Sequence, residues 1–355
     1  VSTPAALFGQ DGAERAGLPD SPARETTAPI GFAAEGVIQA PQPQQRPAAP
    51  APQIELSRRR PSMVGYIGDG VVRSQLRVRF DAGFEITDPD RAEFFYAKCG
   101  CFGRLPLGNA NRDLDAPGPG PGIANDIDFQ QLYLLGEAAV LPRVSLFAEL
   151  PFRWLKPQSF VTGRACCPPG DFSDSPGVSD LAMGAKLGLV ATSNGHFTAQ
   201  MQLRAPTGDA AKGLGTDHWS VEPALLFGQW LTDRVSVEGQ AGLVIPTDGS
   251  AGLPASGSDK YSGSVFYYGI GPSFEVYSGD QLRFSPVVEL VGWRVLGGFQ
   301  ASDFADVTGT NIVNLKIGGR ITMRDQSSIY VGFGRAVTDA AWYQDILRVE
   351  YRYSF

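Results

Sequence analysis

The chain has no long hydrophobic run. Stretches such as 138–141 and 266–268 fall far below the roughly 18–20 apolar residues that a membrane helix needs, so helical membrane spans are excluded. Histidine is almost missing: His196 and His218 are the two in 355 residues, which leaves little acid–base chemistry at neutral pH. Positive charge is in deficit, with a net charge of −7 and a pI near 5.0. The run Arg58, Arg59, Arg60 is the one basic cluster, too little to neutralise a polyanion, so nucleic acid is excluded as a partner. Cysteine is limited to Cys99, Cys101 and the vicinal Cys166 and Cys167, without zinc-ribbon spacing and with no histidine nearby. These four are disulfide candidates in an oxidising compartment, expected to staple two loops, with the pairing left open. No metal and no cofactor is expected.

Glycine and proline are plentiful, at 43 and 27 residues. Proline concentrates in residues 1–70, which contain an Ala-Pro-Gln tract over 39–53 and little periodicity. Such a segment is extended and cannot bury a core of its own. It is expected to be ordered by a partner chain first, and otherwise by the outside of the body or by a lumen it enters. The chain starts at Val1 without a charged and apolar leader, so it reads as a processed, exported form. The expected division is an extended segment over 1–70 and a β-barrel over 71–355.

From about residue 72 the pattern becomes runs of ten to fifteen residues that alternate apolar and polar side chains. Successive strand side chains point to opposite faces, so each run defines two surfaces. Over 75–86 one face is Leu76, Val78, Phe80, Ala82, Phe84 and Ile86, and the other carries Arg77, Arg79, Asp81 and Glu85. There are twelve such strands in all, joined alternately by short turns and long loops. That is the pattern of a transmembrane antiparallel outer-membrane barrel with both termini periplasmic and the long loops extracellular. A soluble sandwich would pack the apolar faces on each other, and the charge distribution argues against it. The polar faces carry ten acids (Asp81, Glu85, Glu137, Glu149, Asp180, Glu222, Glu238, Glu275, Glu289, Glu350) and ten bases (Arg77, Arg79, Arg153, Lys186, Arg204, Arg283, Lys316, Arg320, Arg348, Arg352). In a shared lumen these can pair, whereas a basic residue facing lipid at mid-membrane costs about 2–4 kcal/mol. Trp154, Trp219, Trp230, Trp342 and the C-terminal aromatics lie toward strand ends and are expected to form interfacial girdles.

The last residues alternate Tyr351, Tyr353 and Phe355 with Arg352 and Ser354 and end on an aromatic carboxylate, which resembles the C-terminal assembly signal of bacterial outer-membrane barrels. That resemblance implies the barrel-assembly machinery and outer-membrane lipids as partners. Residues 178–189 (Val-Ser-Asp-Leu-Ala-Met-Gly-Ala-Lys-Leu-Gly-Leu) and 203–209 (Leu-Arg-Ala-Pro-Thr-Gly-Asp), continued by 212–216 (Lys-Gly-Leu-Gly-Thr) and 222–227 (Glu-Pro-Ala-Leu-Leu-Phe), resemble the meta-pathway phenol-degradation-like family of outer-membrane transporters. The resemblance covers roughly residues 130–355. It implies a barrel that passes small, often aromatic, compounds, and it says nothing of the N-terminal segment.

Chemistry is weakly represented. His218 and Ser220 share a face, as nucleophile and base do in outer-membrane phospholipases, but Trp219, Val221, Leu225 and Phe227 make the better lipid face, which turns His218, Ser220 and Glu222 inward. His196, beside Ser193, Asn194 and Gly195, reads as a solvated turn residue. The glycines over 118–122 alternate with proline and open no helix, so they make no phosphate cradle. Loop carboxylates (Asp88, Asp90, Asp113, Asp115, Asp126, Asp128) have the chemistry for Ca²⁺ but read first as exposed polar loop. The chain is therefore expected to be no enzyme but a channel or transporter-like barrel for small solutes. The competing expectation is a structural anchor in a membrane complex, with a closed lumen and an N-terminal segment that docks a partner.

Overall fold

A strand with one charged and one apolar face must keep those faces in different media, and closing the sheet on itself does so without leaving an edge. The structure, a computed structural model, describes residues 60–162, 170–253, 260–324 and 326–355. Twelve long strands close: β1 (Gln75–Ile86), β2 (Ala124–Leu141), β3 (Val144–Phe160), β5 (Leu181–Ala191), β6 (Gly195–Ala205), β7 (Ser220–Trp230), β8 (Val235–Pro246), β9 (Val265–Phe274), β11 (Leu282–Val295), β12 (Asn311–Met323), β13 (Ser327–Ala336) and β14 (Asp345–Ser354). Each pairs antiparallel with its sequence neighbours. β14 returns to β1 in unbroken register from Gln75↔Ser354 to Phe84↔Asp345. Two short strands that the alternation does not announce, β4 (Ser175–Val178) and β10 (Tyr277–Ser278), extend β3 and β11 at opposite rims.

The alternation is physical. In β14 Arg348, Glu350 and Arg352 are buried inside, while Leu347, Val349, Tyr351 and Tyr353 stand exposed outside. Leu134, Leu146, Leu225, Ile270, Leu290 and Val331 continue this apolar belt around the barrel, as a lipid-facing surface requires. No helix among the described residues is long and apolar enough to cross a membrane; this barrel crosses with strands. Turns of two to seven residues join the strands at one rim and the longer loops lie at the other.

Three local departures have physical causes. Glu85 adopts φ 55° at a register shift between β1 and β2, and this bulge reverses the alternation. Glu85 is thereby exposed rather than luminal, and Ile86 is buried instead of facing lipid. Trp342 does not join a girdle: it is buried and stacks on Phe94 with ring centroids 4.4 Å apart. Trp230 packs inward against Met63 and its neighbours, under the Arg60 guanidinium. Trp154 and Trp219 remain on the outer surface.

Candidate functional site

The sequence places Met63, Val64, Ile67, Val71 and Val72 just before β1, outside any strand. Apolar side chains there must find cover, and the cover is the barrel's own interior. Residues 60–74 run inside the lumen at the short-turn half, with Met63, Val64 and Ile67 packed against Val287, Val291 and Tyr330. An extended segment has no ladder to satisfy its backbone, so the wall must supply partners. Glu289 accepts from the N–H groups of Gly65 (3.1 Å), Tyr66 (2.9 Å) and Ile67 (2.8 Å). Glu238 accepts from Met63 N–H (2.6 Å), and Gln240 from Gly68 N–H (2.8 Å). Arg320 donates to the carbonyls of Met63 and Val64, Arg348 to that of Gly65, and Thr198 to that of Gly70. The fit is close enough to require glycine: a Cβ on Gly65 would fall within the Tyr330 ring, and one on Gly70 would lie 2.6 Å from the His196 ring. His196 is thus no solvated turn residue; it opens β6 and packs on the inserted segment. Of the tail over 1–70, residues 60–70 pack inside this lumen, and residues 1–59 lie outside the described residues.

The remaining interior is a lattice of charge. Arg348 grips Asp81 with two bonds of 2.7 Å. Arg77 and Arg79 share Glu149, and Arg204 binds Glu222 at 2.9 Å. Lys186 binds Glu137 at 2.8 Å. Arg320 and Arg352 flank Glu350 at 2.7 and 2.6 Å, and Arg352 also meets Asp69 of the inserted segment at 3.3 Å. Arg283 and Glu275 face one another more loosely, at 3.9 Å, near the short-turn rim. Arg153 and Asp180 turn inward but bind loops, as described below. The structure brings these strand charges together and leaves Glu85 out.

Above the segment's tip, at Tyr66, lies a chamber of about 350 Å³. Its walls mix charge (Arg79, Arg204, Glu222, Lys316) with rings (Tyr133, Tyr267, Trp293, Tyr343). A side crevice of about 200 Å³ continues past residues 65–69 along Arg77, Glu149, Lys186 and Gln200. The spaces at the short-turn rim shrink to about 20 and 10 Å³.

The loop between β1 and β2 folds over the chamber. Its turn Arg91–Glu93 places Ala92 and Glu93 at positive φ, 52° and 53°. Arg153 Nη1 donates to the carbonyls of Phe95 and Gly213, tying two loops to the wall. Asp180, just before β5, accepts from Gly208 N–H and Thr216 N–H and so fastens the loop between β6 and β7. Asp90 accepts from Cys99 N–H, Ala301 N–H and Tyr261 O–H. Burial pushes the Asp90 carboxyl up to about 7, against the pull of those donors. Phe102, Leu105, Leu253, Tyr261 and Phe299 form a small core of loop residues above it.

His218 is buried and directs Nε2 at Glu93, 3.2 Å away. Burial alone would lower its pKa, but the hydrogen bond and charge of Glu93 outweigh it and raise it. Among the described residues no hydrogen bond joins His218 to Ser220, and Glu222 is engaged by Arg204 and Gln202. Cys99 pairs with Cys101 inside one loop rather than stapling two; Cys166 and Cys167 lie outside the described residues. Asp88 is held by Arg91 and Asp113 by Lys98, and no group of three His, Cys, Asp or Glu side chains suited to a metal occurs among the described residues. The alternation does not find the inserted segment or the loop anchors Asp90 and Glu93; it places Arg153 on the inner face but not its hold on the loop carbonyls of Phe95 and Gly213. The available hints were Met63, Val64 and Ile67 interleaved with Gly65, Gly68 and Gly70 in a stretch otherwise poor in apolar residues.

The barrel is similar to many solved structures, three of which follow. One is the COG4313 outer membrane channel from Pseudomonas putida F1, at 15% identity and a TM-score of 0.48 over 80% of this chain and 96% of that one. The second is the beta domain of the Bordetella autotransporter BrkA, at 12% identity and 0.44 over 80% and 100%. The third is the NanC porin, at 6% identity and 0.44 over 79% and 100%. Likeness at this level concerns barrel form alone. No functionally curated protein matches the sequence. The family described as "Putative MetA-pathway of phenol degradation" matches residues 126–341, more than half of the chain, and the chain belongs to that family.

Proposed function

We propose that this barrel is an outer-membrane channel for small solutes, closed at rest by its own residues 60–74. In this reading the short-turn rim and both ends of the barrel domain are periplasmic, the long loops are extracellular, and a solute collects in the chamber before passing the inserted segment. The observation that carries the reading is the way the segment is held. Its grip is made of hydrogen bonds to side chains, chiefly Glu289, Glu238, Arg320 and Arg348, and of apolar packing by Met63, Val64 and Ile67, and among the described residues no disulfide and no strand pairing fixes it, so the segment can shift without unpairing a strand. The charged and aromatic chamber and the continuing crevice support passage of compact molecules with polar and flat apolar parts.

Planar-bilayer recording tests this. Wild-type protein should show small, interrupted currents, and deletion of residues 61–68 should give a larger, steadier conductance. Replacing both Glu238 and Glu289 by Gln should lie between the two. A deletion variant that folds, as judged by heat-modifiable gel mobility, yet passes no current at any voltage overturns the channel reading. That outcome, together with loss of co-purifying proteins when residues 1–59 are removed, would favour a second reading that the occluded lumen also supports: a non-conducting anchor whose N-terminal segment docks a partner.

A further inference from the structure

The bases of the lumen's strands are matched with acids almost without exception. Arg153 and Lys316 are the exceptions among the described luminal residues, with no carboxylate at salt-bridge distance. The Arg153 donors are taken by Gln131 Oε1 and by the carbonyls of Phe95 and Gly213. Lys316 is different. It is 2% exposed and lines the chamber, and its Nζ donates to a single acceptor, the Tyr343 hydroxyl at 2.6 Å. Around it are ring faces: Tyr66 at 3.9 Å, Tyr343 at 5.0 Å and Trp293 at 5.6 Å from Nζ. Its cross-strand partner is Glu289, whose oxygens are already committed to three N–H groups of the inserted segment and to the Tyr330 hydroxyl.

An ammonium group has three donors, and burying it with one acceptor is costly. Ring quadrupoles offset part of that cost, not all of it. No carboxylate of the protein lies at salt-bridge distance from Nζ, at a point where the wall opens on a chamber of about 350 Å³, a volume within the range of small-molecule sites, so an incoming carboxylate would supply the acceptors that keep this amine protonated. Rings form one part of the wall there, with Trp293 in the same apolar cluster as the stacked Phe94 and Trp342 pair. We infer that the chamber binds a small organic anion, a carboxylate carried on a single flat ring, with the carboxylate on Lys316 Nζ and the ring against Trp293, Phe94 and Trp342. The inference deepens the channel reading and rests on it only for the route by which the ligand arrives.

Isothermal titration calorimetry of the full chain folded in detergent, with no membrane present, tests the site separately from conduction. Benzoate should bind about tenfold or more tightly than benzamide, which keeps the ring and loses the charge, and than acetate, which keeps the charge and loses the ring. Lys316→Met should remove the preference of benzoate over benzamide, and Lys316→Arg should restore part of it. Benzoate no tighter than benzamide on wild-type protein overturns the proposal, even if the Met variant does not fold. Acetate binding as well as benzoate also overturns it and leaves a simple anion site. Binding without current through the segment-deleted barrel counts against the channel reading alone, whereas current without benzoate binding counts against the site alone.

Discussion

Glu289 and Arg320 show how single side chains hold a segment that has no secondary structure. Glu289 spends its charge on a run of three N–H groups, and Arg320 bridges the Met63 and Val64 carbonyls to Ser328 and Glu350. Arg320 and Glu350 are both fully buried. Arg320→Ala should therefore strip an acid of one of its two close bases and leave the Met63 carbonyl without its donor, lowering stability by about 3–5 kcal/mol; a fall in the denaturant midpoint of heat-modifiable mobility measures it. Glu85 gives the opposite expectation. Its φ of 55° suits glycine, so Glu85→Gly should stabilise the barrel by about 1 kcal/mol, and Glu85→Val should destabilise it in the same assay. This bulge also marks where alternation stops being readable. Period two assigns Phe84 outward from sequence alone, but nothing in the residues Phe84, Glu85 and Ile86 announces the extra residue that turns Ile86 inside.

At the scale of the element, the cap over the chamber contains two titrating groups that act in one direction, Asp90 in the loop between β1 and β2 and His218 in the loop between β6 and β7. Asp90 carries a folded-state pKa near 7, above its ordinary value, so the folded cap binds more protons than the open chain across about pH 4–7. Its contribution is full at the acid end and is lost as pH rises through 7. His218 adds to this: its raised pKa means the bond to Glu93 is present below that value and lost above it. The groups facing Asp90 are Tyr261, Tyr96 and Asp88, none of which reverses the sign. Hydrogen exchange corrected for intrinsic rates should show the amides of Ala97, Cys99 and Phe102 better protected at pH 5 than at pH 8, and Asp90→Asn should flatten most of the difference. Strand elements were legible because burial on one side and lipid on the other force a period. The cap was not, because the contacts of Asp90 reach Tyr261 and Ala301 through loops with no period. Residues 60–74 escaped for the same reason: their partners lie on β6, β8, β11, β12, β13 and β14, known only once the barrel is closed.

For the molecule as a whole, the exterior is one solvent and the interior another, and substitutions should divide accordingly. Leu290 stands in the outer belt next to luminal Glu289 in sequence. Leu290→Arg should cost about 2–4 kcal/mol in a bilayer, measured as reduced folding into lipid vesicles, while leaving the chamber unchanged. The closed ring of strands also has a consequence in time. Residues 63–69 leave the ribosome long before β14, yet Arg348 and Arg352 of β14 hold the carbonyls of Gly65 and Val64, and Arg352 meets Asp69. The inserted segment has no complete seat until β14 arrives. Insertion of the stopper and sealing of the wall are then the two halves of a single biosynthetic event, and a chain interrupted before its final strand would be left both unsealed and uncorked.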